Sequence, residues 1–452
     1  MKKNLWIWAL AAFSMAACTS EDVPTQQQVT EDDWISPDGQ VVVQLGAESS
    51  PTITVSRANP TGIIEGDDII KLDDIGIFAL NRNATFSSTD ITGWQNSTNC
   101  LLMNVKAKGT DKNPLDYGTG LNEGKRLTLY KPDAQTSGAV YYYPIQGKQH
   151  FDFYGYFPRT DATVDISNDK MRVKVNIGGN VDLITGEAPQ ATPVKETELY
   201  VSETPAKGTD ATDIHGYNAK YIRKIKYHNW IIDKDNSLQT SEKKPFIPNI
   251  QFKHRLTKLN FQIITAKEQS GDDLDPETNP ENNQENDRES AKKLRVNTIQ
   301  VVNAYQAAYL TIGKDMPLSF EDSDRTNLNM IKVDNNTIWE NNNIIPQVYK
   351  EVDQEEENPT YISAGYIMVP ATEDIANYAN NPYKISMTIV ANEPNGEPET
   401  QNVVLDLPAN TIFEAGHSYN IRIALYAQQK VHISATLTEW VDVDAPIEIP
   451  VY

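Results

Sequence analysis

Cysteine is nearly missing from this chain, with Cys18 and Cys100 the only two in 452 residues. If Cys18 belongs to a leader, Cys100 has no partner for an internal disulfide, and the fold must stand on apolar cores. Cys100 lies in Asn99-Cys100-Leu101-Leu102-Met103, where it reads as a small buried residue rather than a reactive thiol. Histidine is also scarce. None of the six forms a His-Glu-x-x-His pair or stands near a cysteine pair, so no zinc site is written locally, and no cofactor is expected. The nearest imitation of a phosphate loop is Gly118-Thr119-Gly120-Leu121-Asn122-Glu123-Gly124-Lys125-Arg126. It has Glu123 where a dinucleotide pattern needs glycine and Arg126 where a P-loop needs a hydroxyl, so it reads as a connection between strands. Gly416-His417-Ser418-Tyr419 sets a histidine beside a serine, but neighbours in a strand point to opposite faces, which is wrong for a nucleophile and its base. The pairs Asp67-Asp68 and Asp73-Asp74 lack calcium-loop spacing and, in so acidic a chain, read as solvated surface. No catalytic residue emerges.

Positive charge is short as well: 40 Lys and Arg stand against 62 Asp and Glu, a formal net charge of −22. Such a surface repels phosphate backbones and anionic headgroups. That excludes nucleic acid as a partner and leaves a lipid as the expected route to a membrane. The apolar stretch at residues 5–17 has 13 residues, whereas a membrane span takes ~20. With Lys2 and Lys3 ahead of it, and Ala16 and Ala17 just before Cys18, it reads as a lipoprotein signal whose cysteine is acylated after cleavage. An ordinary secretory signal with a chance cysteine is the alternative. Residues 1–17 are therefore the expected signal peptide and residues 18–40 a flexible tether, polar throughout and without an apolar period.

What the chain has in quantity is strand pattern. Val41-Val42-Val43-Gln44-Leu45 and Thr52-Ile53-Thr54-Val55 read as paired strands joined by a turn over residues 46–51. Ser56-Arg57-Ala58 follows, an arginine and a small residue that a trypsin-like protease can use in an exposed loop. Short β-branched or aromatic runs then recur at residues 75–80, 126–130, 139–143, 150–157, 171–177, 251–263, 294–312, 361–369, 383–390 and 401–407. Gly, Pro, Asn and Asp clusters separate them, and helical pattern is confined to a turn or two at residues 374–379. This predicts an all-β chain of sandwiches, and the length suits two of them. Pro245 and Pro248 mark the expected boundary, giving domains 41–245 and 246–452. The second carries a solvated loop at 267–290, with nine acidic residues in 24. Near the end Val431, Ile433, Ala435 and Leu437 alternate with polar residues, and Ile447, Ile449 and Val451 close the chain on an edge that must be paired or protected. Tyr141, Tyr142, Tyr143, Tyr154, Tyr156, Trp94 and Trp230 would stack on sugar rings if they lined one surface. Strands need aromatics for cross-strand packing, so most of these are expected in cores.

In their order along the chain, several of these segments resemble the fimbrillin family of Bacteroidetes, the subunits of type V pili. They are the acylated-cysteine leader, the Ser56-Arg57-Ala58 junction, Asp74-Ile75-Gly76-Ile77-Phe78, and Tyr143-Pro144 leading to Phe151-Asp152-Phe153-Tyr154-Gly155-Tyr156-Phe157-Pro158. Further on come Phe252-Lys253-His254-Arg255-Leu256-Thr257-Lys258-Leu259, Phe413-Glu414-Ala415-Gly416-His417-Ser418-Tyr419 and Thr438-Glu439-Trp440. Ser20-Glu21-Asp22 also resembles the acidic export signal that follows the acylated cysteine in surface lipoproteins of these bacteria. The resemblance implies two tandem transthyretin-like β-sandwiches, exported as an outer-membrane lipoprotein precursor without enzymatic activity. It implies a stalk or tip subunit of a fimbria that polymerises with other subunits and serves adhesion or biofilm formation, with a host or bacterial surface ligand.

The same resemblance implies that an arginine-specific protease cuts between Arg57 and Ala58 and removes the strand segment 41–57. Val41, Val43, Leu45, Ile53 and Val55 would be its apolar residues. The groove left behind would take a strand from another subunit, with Val431, Ile433, Leu437, Ile447, Ile449 and Val451 as the candidate donor residues. The alternatives are an uncleaved pilus anchor that keeps its lipid, and a surface lipoprotein that binds glycans.

Overall fold

The computed structural model describes residues 40–49, 72–82, 99–110, 125–130, 140–144, 149–188, 194–195, 213–214, 217–219, 221–223, 247–266, 294–332, 347–348, 362–391, 399–407, 411–426, 430–439 and 447–448. Nearly all of them lie in or beside strands. The first half holds β1 (Leu45–Ser49), β2 (Ile75–Asn81), β3 (Cys100–Thr110), β4 (Lys125–Leu129), β5 (Phe151–Phe157), β6 (Asp165–Ser167), β7 (Lys170–Asn176), β8 (Ile184–Glu187), β9 (Val194–Lys195) and β10 (Asp213–Ile214). Then follow β11 (Asn249–His254), β12 (Leu256–Ala266), β13 (Leu294–Tyr305), β14 (Ala307–Thr311), β15 (Leu318–Ser319), β16 (Arg325–Asn329), β17 (Ile331–Lys332) and β18 (Gln347–Val348). The last are β19 (Ile362–Pro370), β20 (Lys384–Ala391), β21 (Glu399–Asp406), β22 (His417–Tyr426), β23 (Lys430–Glu439) and β24 (Ile447–Glu448). The all-β class read from the sequence is the class observed.

Seven strands close into a barrel in the order β1-β11-β8-β5-β2-β3-β4, and β4 returns to β1. The other sheets are open: β17-β19-β12-β22-β23-β24 with β18 beside β12, then β16-β13-β20-β21, β15-β14-β7-β6, and the pair β10-β9. Six strands of the first half and β11 thus close into a barrel, where the sequence pattern suggested a sandwich. Closure depends on β1, which pairs antiparallel with β4 and parallel with β11.

Two cores share the barrel wall. On β2, Ile75, Ile77 and Ala79 point into the barrel, while Phe78 and Leu80 face a second core. On β5, Phe151 and Phe153 face the barrel and Tyr154 and Tyr156 the second core. A strand buried on both faces tends to an apolar run; β2 is one, and β5 is apolar or aromatic apart from Gly155 and Asp152, the latter paired with Arg82 at 2.7 Å. In β7 only one face is buried, and Met171, Val173 and Val175 alternate with polar residues. The second core fills the space among the open sheets, with Leu259, Phe261 and Ile263 of β12 fully buried.

Pairing crosses residue 245 in both directions. β11 lies on the C-terminal side of the expected boundary, yet it pairs with β8 and β1 in the barrel. β7 lies on the N-terminal side and pairs with β14. Between β11 and β12 a single residue, Arg255, passes the chain from one sheet to the next, its N–H donating to Leu183 O at 2.8 Å. Its guanidinium is buried, donating from Nη1 to Asp315 O at 3.1 Å and lying 3.4 Å from Asp374 Oδ1. Burial raises the Asp374 carboxyl above the usual range, with Arg255 pulling the other way.

Two local expectations are corrected. Residues 46–49 are not a turn but most of β1. The turn is expected there because residues 46–51 lie between two β-branched runs, but Gly46 and Ala47 are small enough for the segment to sit inside the barrel wall, where both are buried. Residues 140–143 form no strand. They make one antiparallel bridge, Tyr142 to Val42. The acidic loop at 267–290 lies outside the described residues.

Candidate functional site

The segment from Val41 to Ala47 is the best-defined candidate. Its odd-numbered residues all turn inward: Val41, Val43, Leu45 and Ala47 are each 5% exposed or less and join the barrel core with Leu127, Tyr143 and Phe252. Alternation places them on one face, and the barrel gives that face a core to enter. The segment is held along three lines. Val43 N donates to Tyr141 O at 2.7 Å, and Tyr143 N donates to Val41 O at 2.9 Å, so residues 141–143 grip its first part. Further on, Leu45 opposes Leu127 and Gly46 opposes Arg126 on β4, while Gly46, Ala47 and Glu48 oppose Asn249, Ile250 and Gln251 on β11. Gly46 N also donates to Pro248 O at 3.0 Å. Without this segment β4 and β11 would have no neighbour on that side, and the barrel would open into a six-stranded sheet.

Inside the barrel an edge-on series of rings, Tyr143–Phe153–Tyr217–Tyr221, lies at centroid spacings of 6.2, 5.9 and 5.7 Å. Burial pushes the Tyr143 phenol well above its ordinary range. Tyr154 and Tyr156 are buried in the second core, and Tyr141 is half-buried, leaving Tyr142 as the exposed member among the described residues of the aromatic group. Trp94 and Trp230 lie outside the described residues. No sugar-stacking surface is assembled from the described members, because three of them are core residues.

The other sequence candidates resolve into structural roles. His417 Nδ1 lies 3.1 Å from Ala415 O, and Ser418 Oγ accepts from Asn260 Nδ2 at 2.7 Å, so the two do not act on one another. Asp74 lies 3.7 Å from both Lys106 Nζ and Arg159 Nη1. Among the described residues no group of three or more His, Cys, Asp or Glu could hold a metal ion. Cys100 is buried, its Sγ 3.2 Å from Leu102 O, and burial pushes the thiol up to about 12. At neutral pH it is therefore a thiol, not a thiolate, and shielded as well. An alkylating reagent is expected to leave Cys100 unmodified in the folded protein and to modify it after denaturation, as peptide mapping would show. Labelling of Cys100 at equal rates in both states would refute its burial.

Of the residues read as processing or exchange sites, Val41, Val43 and Leu45 are in the seat just described. Cys18, Ile53, Val55, Arg57 and Ala58 lie outside the described residues, as do Ile449 and Val451. Val431, Ile433 and Leu437 belong to β23, which pairs with β22 over ten residues, and Ile447 belongs to β24, which pairs with β23 over two. Sequence reasoning missed the outer grip of residues 141–143, since three tyrosines in a row signal a strand or a ligand surface rather than a clamp.

A model of the fimbrillin-like family matches residues 57–440, most of the chain. The chain belongs to that family. The match begins at Arg57, so the seated segment precedes it. Among solved structures, this fimbrillin-like chain is similar to a fimbrial protein from Bacteroides vulgatus, 12% identical over 88% of this chain and 99% of that one, with a TM-score of 0.41. It is also similar to the tip fimbrial protein Mfa3 from Porphyromonas gingivalis with C-terminal truncation, 10% identical over 88% of this chain and 100% of that one, with a TM-score of 0.29. No curated protein matches. Membership in the fimbrillin-like family supports a fimbrial subunit role at the cell surface and points to structure rather than catalysis.

Proposed function

We propose that this fimbrillin-like protein is a structural subunit of a type V pilus, exported as a lipoprotein on Cys18 and assembled by strand exchange after cleavage at Arg57-Ala58. The observation that carries the reading is the place of β1. One segment closes the barrel, and it lies ahead of Arg57 in the chain. Cutting after Arg57 would leave that segment attached by hydrogen bonds and apolar contact alone. Its departure would uncover the backbone groups of β4 and β11 and an apolar trough, which an incoming strand restores. The lipid and the residues up to Arg57 would then serve delivery and be discarded. If Arg57 is spared, the same lipid makes the protein a permanent anchor.

The donor follows from pairing. Releasing β23 means breaking ten register pairs with β22, whereas β24 gives up two. The end of the chain, carrying Ile447, Ile449 and Val451, is therefore the better donor, and Val431, Ile433 and Leu437 remain in their own sheet. Other subunits are the partners, and adhesion or biofilm formation the outcome.

The test is to treat the purified precursor with an arginine-specific protease and follow mass and size. A product beginning at Ala58 that polymerises is expected, and Arg57→Ala is expected to give no filaments in cells. Filaments from Arg57→Ala equal to the parent's would refute strand removal.

A further inference from the structure

Among the described residues, β21 is hydrogen-bonded along one side only. It pairs with β20 over eight residues, from Glu399 opposite Ala391 to Asp406 opposite Lys384, with no register shift, and it ends its sheet. Every other strand that ends an open sheet among the described residues is shorter. β16 has five residues and a register shift in its pairing with β13, β6 has three, and β9, β10, β15, β17 and β24 have two each. Short strands, bulges, lysines and prolines are how proteins keep sheet edges from pairing with other chains. β21, with the sequence Glu399-Thr400-Gln401-Asn402-Val403-Val404-Leu405-Asp406, carries charge only at its two ends and has no lysine, proline or bulge between them. Val404 on its outer face is 59% exposed, and Val403 and Leu405, which turn toward the core, are only partly buried against it. Ile412, shortly after the strand, is 65% exposed.

We propose that β21 pairs antiparallel with β21 of a second copy of this chain, joining two four-stranded sheets across a two-fold axis. The case for a second copy rests on side-chain period. Residues directly opposed in a sheet share a face, and faces alternate along each strand. A two-fold axis perpendicular to the sheet keeps every residue on its own face, so it can oppose only residues an even number of positions apart. Glu399 and Asp406 are an odd number apart, so no symmetric register sets these carboxylates against each other. Centred on Val403, the axis places Val403 against its copy, Asn402 against Val404, Gln401 against Leu405 and Thr400 against Asp406. Asp406 is already paired with Lys384 Nζ at 2.8 Å. A chain of net charge −22 therefore has an edge on which two copies meet without opposed acids. The edge is also held in place beforehand, since Thr298 Oγ1 donates to Thr388 Oγ1 and Thr388 Oγ1 to Asn402 Oδ1, each at 2.9 Å. Little ordering remains to be done on association. The contact is isologous, the commonest symmetry for paired subunits, and it leaves the β1 seat untouched.

The experiment uses the full chain carrying Arg57→Ala, which removes strand exchange as a route to association. Light scattering over a concentration series compares it with the same chain carrying Val404→Lys, or Val140→Lys at an exposed apolar residue in the other half. A dimer is expected in the Arg57→Ala chain and with Val140→Lys, and one weaker by about tenfold or more with Val404→Lys. Amide hydrogen exchange over residues 400–405 is expected to slow as concentration rises. A chain that stays monomeric throughout, or a Val404→Lys dimer as tight as its parent's, overturns the proposal. Either result leaves the strand-exchange reading standing, because that reading is tested at Arg57.

Discussion

A Leu45→Ala precursor is expected to unfold about 2–5 kcal/mol more easily than the parent, whereas the polymer grown from it keeps the parent's stability. Leu45 is 1% exposed, sits opposite Leu127 and belongs to the barrel core. Truncating it loses the transfer energy of the removed methyl groups and leaves a cavity, and the cost is higher where surrounding structure cannot collapse. A closed barrel is such a place, since β1 is fixed on both sides. The contrast with Phe252→Ala makes the test specific. Phe252 is 2% exposed in the same core but lies on β11, well after Arg57. Its truncation is expected to cost about 3–5 kcal/mol in precursor and processed subunit alike. Denaturant unfolding of the precursor, and of the polymer made from it, measures both. If Leu45→Ala weakens the polymer as much as the precursor, the segment is not discarded.

That experiment turns on a strand which the sequence half disclosed. The alternation of Val41, Val43 and Leu45 shows which residues face a core, but period 2 says nothing of the partner strand. β1 lies beside β11, some 200 positions away, and runs parallel to it. The same holds for β12, whose Leu259, Phe261 and Ile263 read plainly as one face, while its parallel partner β22 lies near the far end of the chain. The run from Ile75 to Leu80 read as a strand, but that both of its faces are buried follows only from its place in the shared barrel wall. Small residues misled where they served packing, as at Gly46 and Ala47, and the tyrosines at 141–143 misled because a bridge needs no strand. The Arg57-Ala58 junction was legible only as chemistry, an arginine before a small residue, and the sequence pattern did not show that β1, which lies ahead of it, closes a barrel.

Gly365→Ala is expected to lower stability by about 3 kcal/mol, the upper end of ordinary overpacking, although it adds a single methyl group. Gly365 lies on β19, opposite Phe261 of β12 on one side and Lys332 of β17 on the other. A Cβ there would overlap Ile331 O and come 2.9 Å from Met330 Cγ. The methionine side chain can swing aside, but the carbonyl oxygen belongs to the backbone of β17. The demand is for space and not for an unusual backbone angle, so relief has to come from moving β17 itself. β17 has only two residues, which makes peeling it from β19 the easiest response. That response exposes Met330 and Ile331, both buried in the second core at 1% exposure or less. Ser363→Ala, on the same strand but exposed, is expected to stay within about 0.5 kcal/mol of the parent. Thermal or denaturant unfolding of the two variants decides the matter: equal stability would mean that β17 does not press on β19, and that the close approach of Ile331 O is not what keeps residue 365 a glycine.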